Sequence, residues 1–253
     1  MRATVHGTTM PVLEVHLAQG ESVFAESGQY AWLSPNVDVH TAAMGMSGAD
    51  DMVGAVMRTF GGGTFFMTRF TGTEEPGNVV FALKNPGVFK HVKVEPGSSF
   101  MLHRHGFICA DEGVVLQTGL QRKLGVGLFG GAGFVMQRLT GRGDAMVQFG
   151  GEVFPQHLKA GQSVRVHPGH LGMYEEHMQL EFDHIKGIRN KLFGDGLFLA
   201  RLHGPGTVWL QSFTLAALAH SLEPYMHTEH TNGNGLGSAA GAIGGLVGGL
   251  LSD

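Results

Sequence analysis

The chain has 253 residues, a formal net charge of −4 with histidine neutral, and only 15% charged residues, while 41 residues are glycine. This length suits one large β domain or two ordinary domains, and the glycine content favours short strands joined by tight turns. The acidic balance excludes a general attraction for nucleic acid. The single cysteine, Cys109, excludes an internal disulfide framework or a cysteine zinc site.

One pattern occurs three times along the chain, in segments 17–32, 94–109 and 158–173. Each copy has an apolar residue, two spacers, a glycine, one spacer, a serine and an apolar residue, followed by a turn and a second apolar run. The strands on either side alternate apolar and polar side chains, which predicts that one face of each is buried. The recurrence predicts three β units that pack against one another. The repeated residues are Gly20, Gly97 and Gly161, with Ser22, Ser99 and Ser163.

A second pattern also recurs three times, in segments 60–72, 129–143 and 193–206. Each copy joins a glycine-rich turn to an apolar strand, an arginine and a closing glycine. Because these strands are apolar on both faces, we expect them to lie deeper in the fold. After the third copy, "TLAALAHSLEPYM" (214–226) predicts a short helix that ends at Pro224, and residues 232–253 form a low-complexity, glycine-rich tail.

These patterns predict an all-β sandwich or prism of three pseudo-repeated subdomains, with one short C-terminal helix and a glycine-rich tail. The N-terminal segment lacks the apolar core of a secretory signal, and the sequence has no run of about 18 apolar residues. We therefore expect a cytoplasmic protein, with peripheral membrane contact left open. The expected divisions are a three-repeat domain at 1–226, with approximate units at 10–75, 85–147 and 152–213 and a helix at 214–223, and a tail at 227–253.

Four stretches of the sequence together resemble the altered-inheritance-of-mitochondria protein 24 family. They are "GESVFAESGQYAWLSPNVDVHT", "FFMTRFTG", "VHPGHL" and "KLFGDGLFLARLHGPGTVWLQS". The resemblance covers roughly residues 5–226 and implies an all-β fold of duplicated subdomains, similar to the tryptophan RNA-binding attenuation protein, and self-association. It also implies a link to mitochondrial inner-membrane organisation in fungi, and it brings no catalytic residues. This sequence departs from the family in its histidine-rich turn at 103–105 and in its tail.

His103 and His105 raise the question of a metal site. With Gly97 they match the start of the metal motif of cupins, but the next carboxylates lie too far along the chain. The repeat favours a surface hairpin turn instead, because "HRHG" stands where the other copies have "ESGQ" and "HPGH". A metal alternative remains. The same position of the three copies holds Glu26, His103 and His167, and two histidines with one carboxylate suit iron or another divalent metal if the units surround an axis.

The second pattern places an arginine in each apolar strand, at Arg69, Arg138 and Arg201. A buried guanidinium needs a partner, because burial of an unpaired charge is costly. The three could form an anion site near a pseudo-axis. Alternatively, each is structural and binds backbone carbonyls or a nearby carboxylate, and the sequence favours this second interpretation.

We therefore expect a non-enzymatic, self-associating scaffold that needs no cofactor, forms a homo-oligomer, and presents its turns or tail to a protein or membrane-associated partner. The Gly-x-Gly-x-x-Gly stretch at 125–131 is interpreted as a turn, because no strand-then-helix context follows it. Two alternatives stay open. One is a cupin-like metal-binding protein or enzyme that uses Glu26, His103 and His167. The other is a small-molecule or RNA binder by analogy of fold, although the acidic charge argues against nucleic acid.

Overall fold

The computed structural model describes residues 1–43, 66–74, 76–122, 134–184, 198–222 and 225, and antiparallel strands make up most of these ranges. The one α-helix among them, α1, spans Leu215–Leu222, as the sequence predicts. A 3-10 turn covers Pro168–His170. The strands are β1 Arg2–His6, β2 Val12–Leu17, β3 Ser22–Glu26, β4 Tyr30–Leu33, β5 Val37–Ala43, β6 Phe66–Gly72, β7 Gly77–Ala82, β8 Gly87–Val94, β9 Phe100–His103, β10 Phe107–Asp111, β11 Val114–Arg122, β12 Phe134–Gly141, β13 Gly143–Gly150, β14 Val153–Leu158, β15 Ser163–Val166, β16 Leu171–Glu175, β17 Gln179–His184, β18 Phe198–His203 and β19 Gly206–Gln211.

The strands form four sheets, which we name A to D in chain order. Sheet A has the order β1-β2-β7-β4, and sheet D has the order β15-β18-β17. Between them in chain order are two six-stranded sheets: B, with the order β5-β6-β3-β10-β13-β8, and C, with the order β11-β12-β9-β16-β19-β14. The protein is thus all-β with one short C-terminal helix among its described residues, which confirms the predicted fold class.

The sheet orders contain the same six-strand arrangement three times. We define unit 1 as β2–β7, unit 2 as β8–β13 and unit 3 as β14–β19. In each unit, the first, sixth and third strands lie side by side in one sheet, and the fourth, fifth and second strands lie side by side in the next sheet. Sheets B and C therefore each combine strands from two successive units, whereas sheets A and D each hold half of one unit, with β1 added to sheet A.

Each unit encloses a core between its two half-sheets. The core of unit 1 contains Phe70 and Phe81, and that of unit 2 contains Phe107 and Phe149. The core of unit 3 also takes in Phe134 from β12 of unit 2, and all five rings are fully buried. The arginine-bearing strands β6, β12 and β18 lie inside their sheets rather than at an edge. This placement agrees with the apolar character of both faces of these strands.

One local prediction is wrong. The turns at 26–29, 103–106 and 167–170 are not hairpins, because the strands on either side of each turn belong to different sheets. For example, β9 pairs with β12 and β16 in sheet C, while β10 pairs with β13 and β3 in sheet B. Each turn therefore connects the two half-sheets of one unit across its core.

By its contacts the chain divides after Leu218, and the part Met1–Leu218 contains all four sheets. Several predictions lie outside the described residues. They are the glycine-rich turns at 60–65, 125–131 and 193–197 and the tail at 227–253. No helix within the described ranges has the length and apolarity needed to cross a bilayer.

Candidate functional site

The same turn joins the first and second strands of every unit. Its glycine has a positive φ of 77° at Gly20, 87° at Gly97 and 82° at Gly161, a conformation that glycine adopts without steric cost. The residue after each glycine donates its backbone N–H to the carbonyl three positions earlier, and its side chain accepts a hydrogen bond from the N–H of that earlier residue. The pairs are Glu21 with Ala18 (3.0 and 3.0 Å), Ser98 with Glu95 (2.9 and 3.1 Å) and Gln162 with Lys159 (3.0 and 2.8 Å).

Successive units are connected by one strand pair, which we call a joint. Joint 1 pairs β3 of unit 1 with β10 of unit 2, and Cys109 lies opposite Ala25. Joint 2 pairs β9 of unit 2 with β16 of unit 3, and Met173 lies opposite Leu102. In both cases the second strand of one unit pairs with the third strand of the following unit. The paired backbones make sheets B and C continuous from one unit to the next.

A β-bulge fixes the alignment of the third strands. The strand register shifts between Tyr30 and Trp32 in β4, between Phe107 and Cys109 in β10, and between Leu171 and Met173 in β16. Trp32 therefore occupies the position of Cys109 and Met173, and Tyr30 the position of Phe107 and Leu171. Because bulges change the facing of the side chains that follow, this shared feature places equivalent residues on equivalent faces.

Among the described strands, β4 and β15 lack the partner that their counterparts have. β4 is the third strand of unit 1 and β15 is the second strand of unit 3, and each stands at a sheet edge. The position of Trp32 is buried in β10 and β16, yet Trp32 itself is 55% exposed, and Tyr30 is 41% exposed where Phe107 and Leu171 are fully buried. The backbone groups of such edges are templates for pairing with another strand.

On β15, the exposed side chains also stand at positions that the joints bury. Val164 and Arg165 correspond to Val23 and Phe24 in β3, since each lies at the same offset from its repeat glycine. Val23 and Phe24 are buried, whereas Arg165 is exposed and Val164 only partly buried. The two outer edges therefore carry the two halves of a joint, β4 on unit 1 and β15 on unit 3.

The three predicted arginines do not meet one another, and each contacts a carboxylate. Arg69 Nη2 lies 2.9 Å from Glu112 Oε1, and Arg138 Nε donates to Glu176 Oε2 over 2.7 Å. Both carboxylates belong to the turn after the third strand of the following unit, so these ion pairs span the joints. Burial opposes ionisation of the Glu176 carboxyl, but the hydrogen bonds of this carboxyl with Ser99 and Arg138 outweigh burial and hold its pKa below the ordinary value. Arg201 instead contacts Asp183 of its own unit, with 2.5 Å between Nη2 and Oδ2.

Glu26, His103 and His167 occupy equivalent positions at the ends of the second strands, but each has its own surroundings. Glu26 Oε1 accepts a hydrogen bond of 2.8 Å from Gln137 Nε2, and burial raises the pKa of its carboxyl. Burial, with further contributions from His105 and Arg104, lowers the pKa of His103 to about 4.

His167 lies beside His170, with the ring centroids 5.8 Å apart, and burial lowers its pKa. His103 lies beside His105 in the same way, at 6.0 Å. Within the described residues, no three His, Cys, Asp or Glu side chains are grouped in a way that could hold a metal ion. The structure therefore brings none of Glu26, His103 and His167 together as a metal-binding group in one chain.

Two residues of the candidate site were not predicted from the sequence, Tyr30 and Trp32. The signal was present in the repeat, because the stretch "QYAW" aligns with "GFIC" and "HLGM", whose apolar residues are buried. Their exposure follows only from the position of β4 at the end of the row of units, which the repeat pattern does not reveal.

The family model described as mitochondrial biogenesis AIM24 matches residues 3–213. The chain belongs to this family. One relative, an uncharacterised protein of Streptococcus pyogenes serotype M6, is 25% identical over 233 residues, which cover 90% of this chain and 92% of the relative. The crystal structure of another Streptococcus pyogenes protein is similar, with a TM-score of 0.68 and 19% identity. The match covers 89% of this chain and 99% of that protein's chain. This last similarity shows the fold alone, and the resemblance to the AIM24 family stated from the sequence is confirmed.

Proposed function

We propose that the protein is a non-enzymatic scaffold that associates with copies of itself through β15 of one copy and β4 of the next. One observation carries this proposal: in the part of the chain that the structure describes, β4 and β15 are the two unpaired halves of a joint that the chain already makes twice internally. A second copy is the partner that supplies both the missing strand type and the matching register. By the internal registers, Trp32 would lie opposite Val166 and Leu33 opposite Arg165.

Side-chain burial supports the same contact. At the internal joints, Cys109 and Met173 insert into the core of the preceding unit. Trp32 at the equivalent position would extend the core of unit 3 of the other copy, where Val164 and Phe182 are only partly buried. Covering a large apolar side chain contributes about 1.5–3 kcal/mol relative to leaving it in water. The added backbone hydrogen bonds contribute about 0.5–1.5 kcal/mol each.

The symmetry of this contact determines what it can build. The contact joins two different surfaces, so it is heterologous, and repetition closes a ring or extends a filament. Such an assembly would present the connecting turns at 26–29, 103–106 and 167–170 in a repeated row. This is a scaffold geometry, and a role in organising membranes or protein partners would use such a row.

The test compares the mass of the protein in solution with that of two edge variants. Trp32→Lys places a charge in the proposed contact. Phe154→Lys is the matched control, because Phe154 is also an exposed aromatic side chain (63%) on an edge strand, β14, which lies outside the proposed contact. We expect the wild-type protein and Phe154→Lys to form the same assembly, and Trp32→Lys to be a 26.9 kDa monomer that remains folded by circular dichroism. A monomeric wild-type protein at tens of micromolar, or an assembly unchanged by Trp32→Lys, would contradict the proposal.

A further inference from the structure

One apolar contact recurs at both internal joints. At joint 1 the ring of Phe24 stacks on the ring of Phe107, with centroids 5.5 Å apart and planes inclined by 27°. At joint 2 the corresponding residues are Met101 and Leu171, which lie in the same core. The side chain from the second strand of one unit thus covers the core of the following unit.

The outer edges hold a different pair at these positions, Arg165 on β15 and Tyr30 on β4. Arg165 is exposed, and Tyr30 is 41% exposed. The ring of Tyr30 is already held by its own unit, because it meets Phe70 edge to face with centroids 5.4 Å apart. The ring of Tyr30 is therefore held in place and partly exposed. In the proposed contact, the side chain that would cover this ring is Arg165 of the other copy.

We propose that Arg165 selects the second copy of this chain by stacking its guanidinium on the ring of Tyr30 across the β15–β4 contact. This inference rests on the proposed function and names the pair that gives the contact its specificity. A planar guanidinium over an aromatic face is a favourable cation–π arrangement. The aliphatic stem of Arg165 would cover the apolar edge beside Leu33, while its charged end stays near solvent.

The ion pair of the internal joints has no equivalent at this contact. Pro35 occupies the turn position that Glu112 and Glu176 occupy after β10 and β16, because each is the first residue of a two-residue turn after the third strand. The arginine that would meet a carboxylate there, Arg201, already contacts Asp183. The contact between copies is therefore distinguished from the internal joints by Arg165 and Tyr30, and its strength should depend on this pair.

A double-mutant cycle on the dissociation constant of the assembly tests the pair. The variants are Arg165→Leu, Tyr30→Leu and the double variant. We expect a coupling of about two- to thirtyfold, the range of cation–π contacts from exposed to desolvated. Tyr30→Phe should keep the coupling, since it keeps the ring. As a matched control, a cycle that combines Tyr30→Leu with Arg142→Leu, an exposed arginine in the turn between β12 and β13, should show none.

The substitution Arg165→Phe gives a second, independent measurement. It copies the stack of Phe24 on Phe107 at joint 1, so we expect this variant to assemble still, and a monomeric variant would contradict the placement of position 165 over the ring of Tyr30. A wild-type protein that assembles through β4 but shows no coupling between positions 165 and 30 would overturn this inference and leave the proposed function standing. A wild-type protein that stays monomeric would overturn the proposed function itself.

Discussion

Acid should destabilise the fold through His103, and the size of the effect follows from its burial. The pKa of His103 is about 4 in the folded protein, against an ordinary value of 6.5, because burial and the nearby His105 and Arg104 disfavour the imidazolium. A histidine with a depressed folded pKa contributes its full stability above the unfolded value. That stability is lost as the pH falls from about 6.5 towards 4, because the unfolded chain binds the proton first.

The loss can be worked out from these two pKa values. Between pH 7.5 and pH 5, the free energy of unfolding should fall by about 2 kcal/mol, and by about 3 kcal/mol once the pH is well below 4. The pKa values of His105 and His167 are also lowered by burial and act in the same direction. The raised pKa of Glu26 acts in the opposite direction, because the folded state takes up that proton at higher pH than the unfolded chain does.

The assay isolates His103 by difference. Urea unfolding of the wild-type protein and of His103→Gln is followed by circular dichroism at pH 7.5 and pH 5, at two protein concentrations so that any contribution from association is recognised. We expect the wild-type protein to lose about 2 kcal/mol more than His103→Gln over this interval. Parallel losses in the two proteins would show that the imidazole of His103 is not held neutral by the fold.

Two further predictions concern the turns and joint 1. Alanine at any of the three turn glycines should lower the free energy of unfolding by a similar amount, about 1–2 kcal/mol from the positive φ alone, because a Cβ there meets nothing within 4 Å beyond its chain neighbours. Urea unfolding measures these losses, and strongly unequal values would contradict the equivalence of Gly20, Gly97 and Gly161. Gln137→Leu should cost about 1–3 kcal/mol at neutral pH by removing the donor to the carboxyl of Glu26, with a smaller cost in acid where this carboxyl is protonated; an equal cost at both pH values would count against the reasoning.

The repeat in the sequence carried most of the local structure. The spacing alone identified Gly20, Gly97 and Gly161. The turn depends on two adjacent residues, a glycine with a left-handed backbone and a side-chain acceptor at the next position. The apolar strands around Arg69, Arg138 and Arg201 were expected to lie deeper in the fold, and each lies between two other strands of its sheet. These features depend on neighbours in the chain, and a local pattern is enough to predict them.

The pairing of strands could not be predicted in the same way. The turn at 103–106 looks like a hairpin because two apolar strands flank it, yet these strands lie in different sheets. Alternation reports which face is buried but not which strand lies alongside. For the same reason, the contact of Arg69 with Glu112 and the exposure of Trp32 became visible only when the order of strands was known.

The most direct test of the central claim is a cross-link between copies in the register that the internal joints define. Ser34 should lie opposite Val164 of a second copy, as Asp111 lies opposite Val23 at joint 1. Directly opposed antiparallel residues have Cα atoms about 4.5–5.5 Å apart, which suits a disulfide. The native Cys109 should not interfere, because burial raises the pKa of its thiol. We expect oxidation of the Ser34→Cys, Val164→Cys variant to yield covalent multimers, whereas the off-register variant Ser34→Cys, Val166→Cys stays monomeric on a denaturing gel. Equal cross-linking of both variants, or of neither, would contradict the proposed contact between copies.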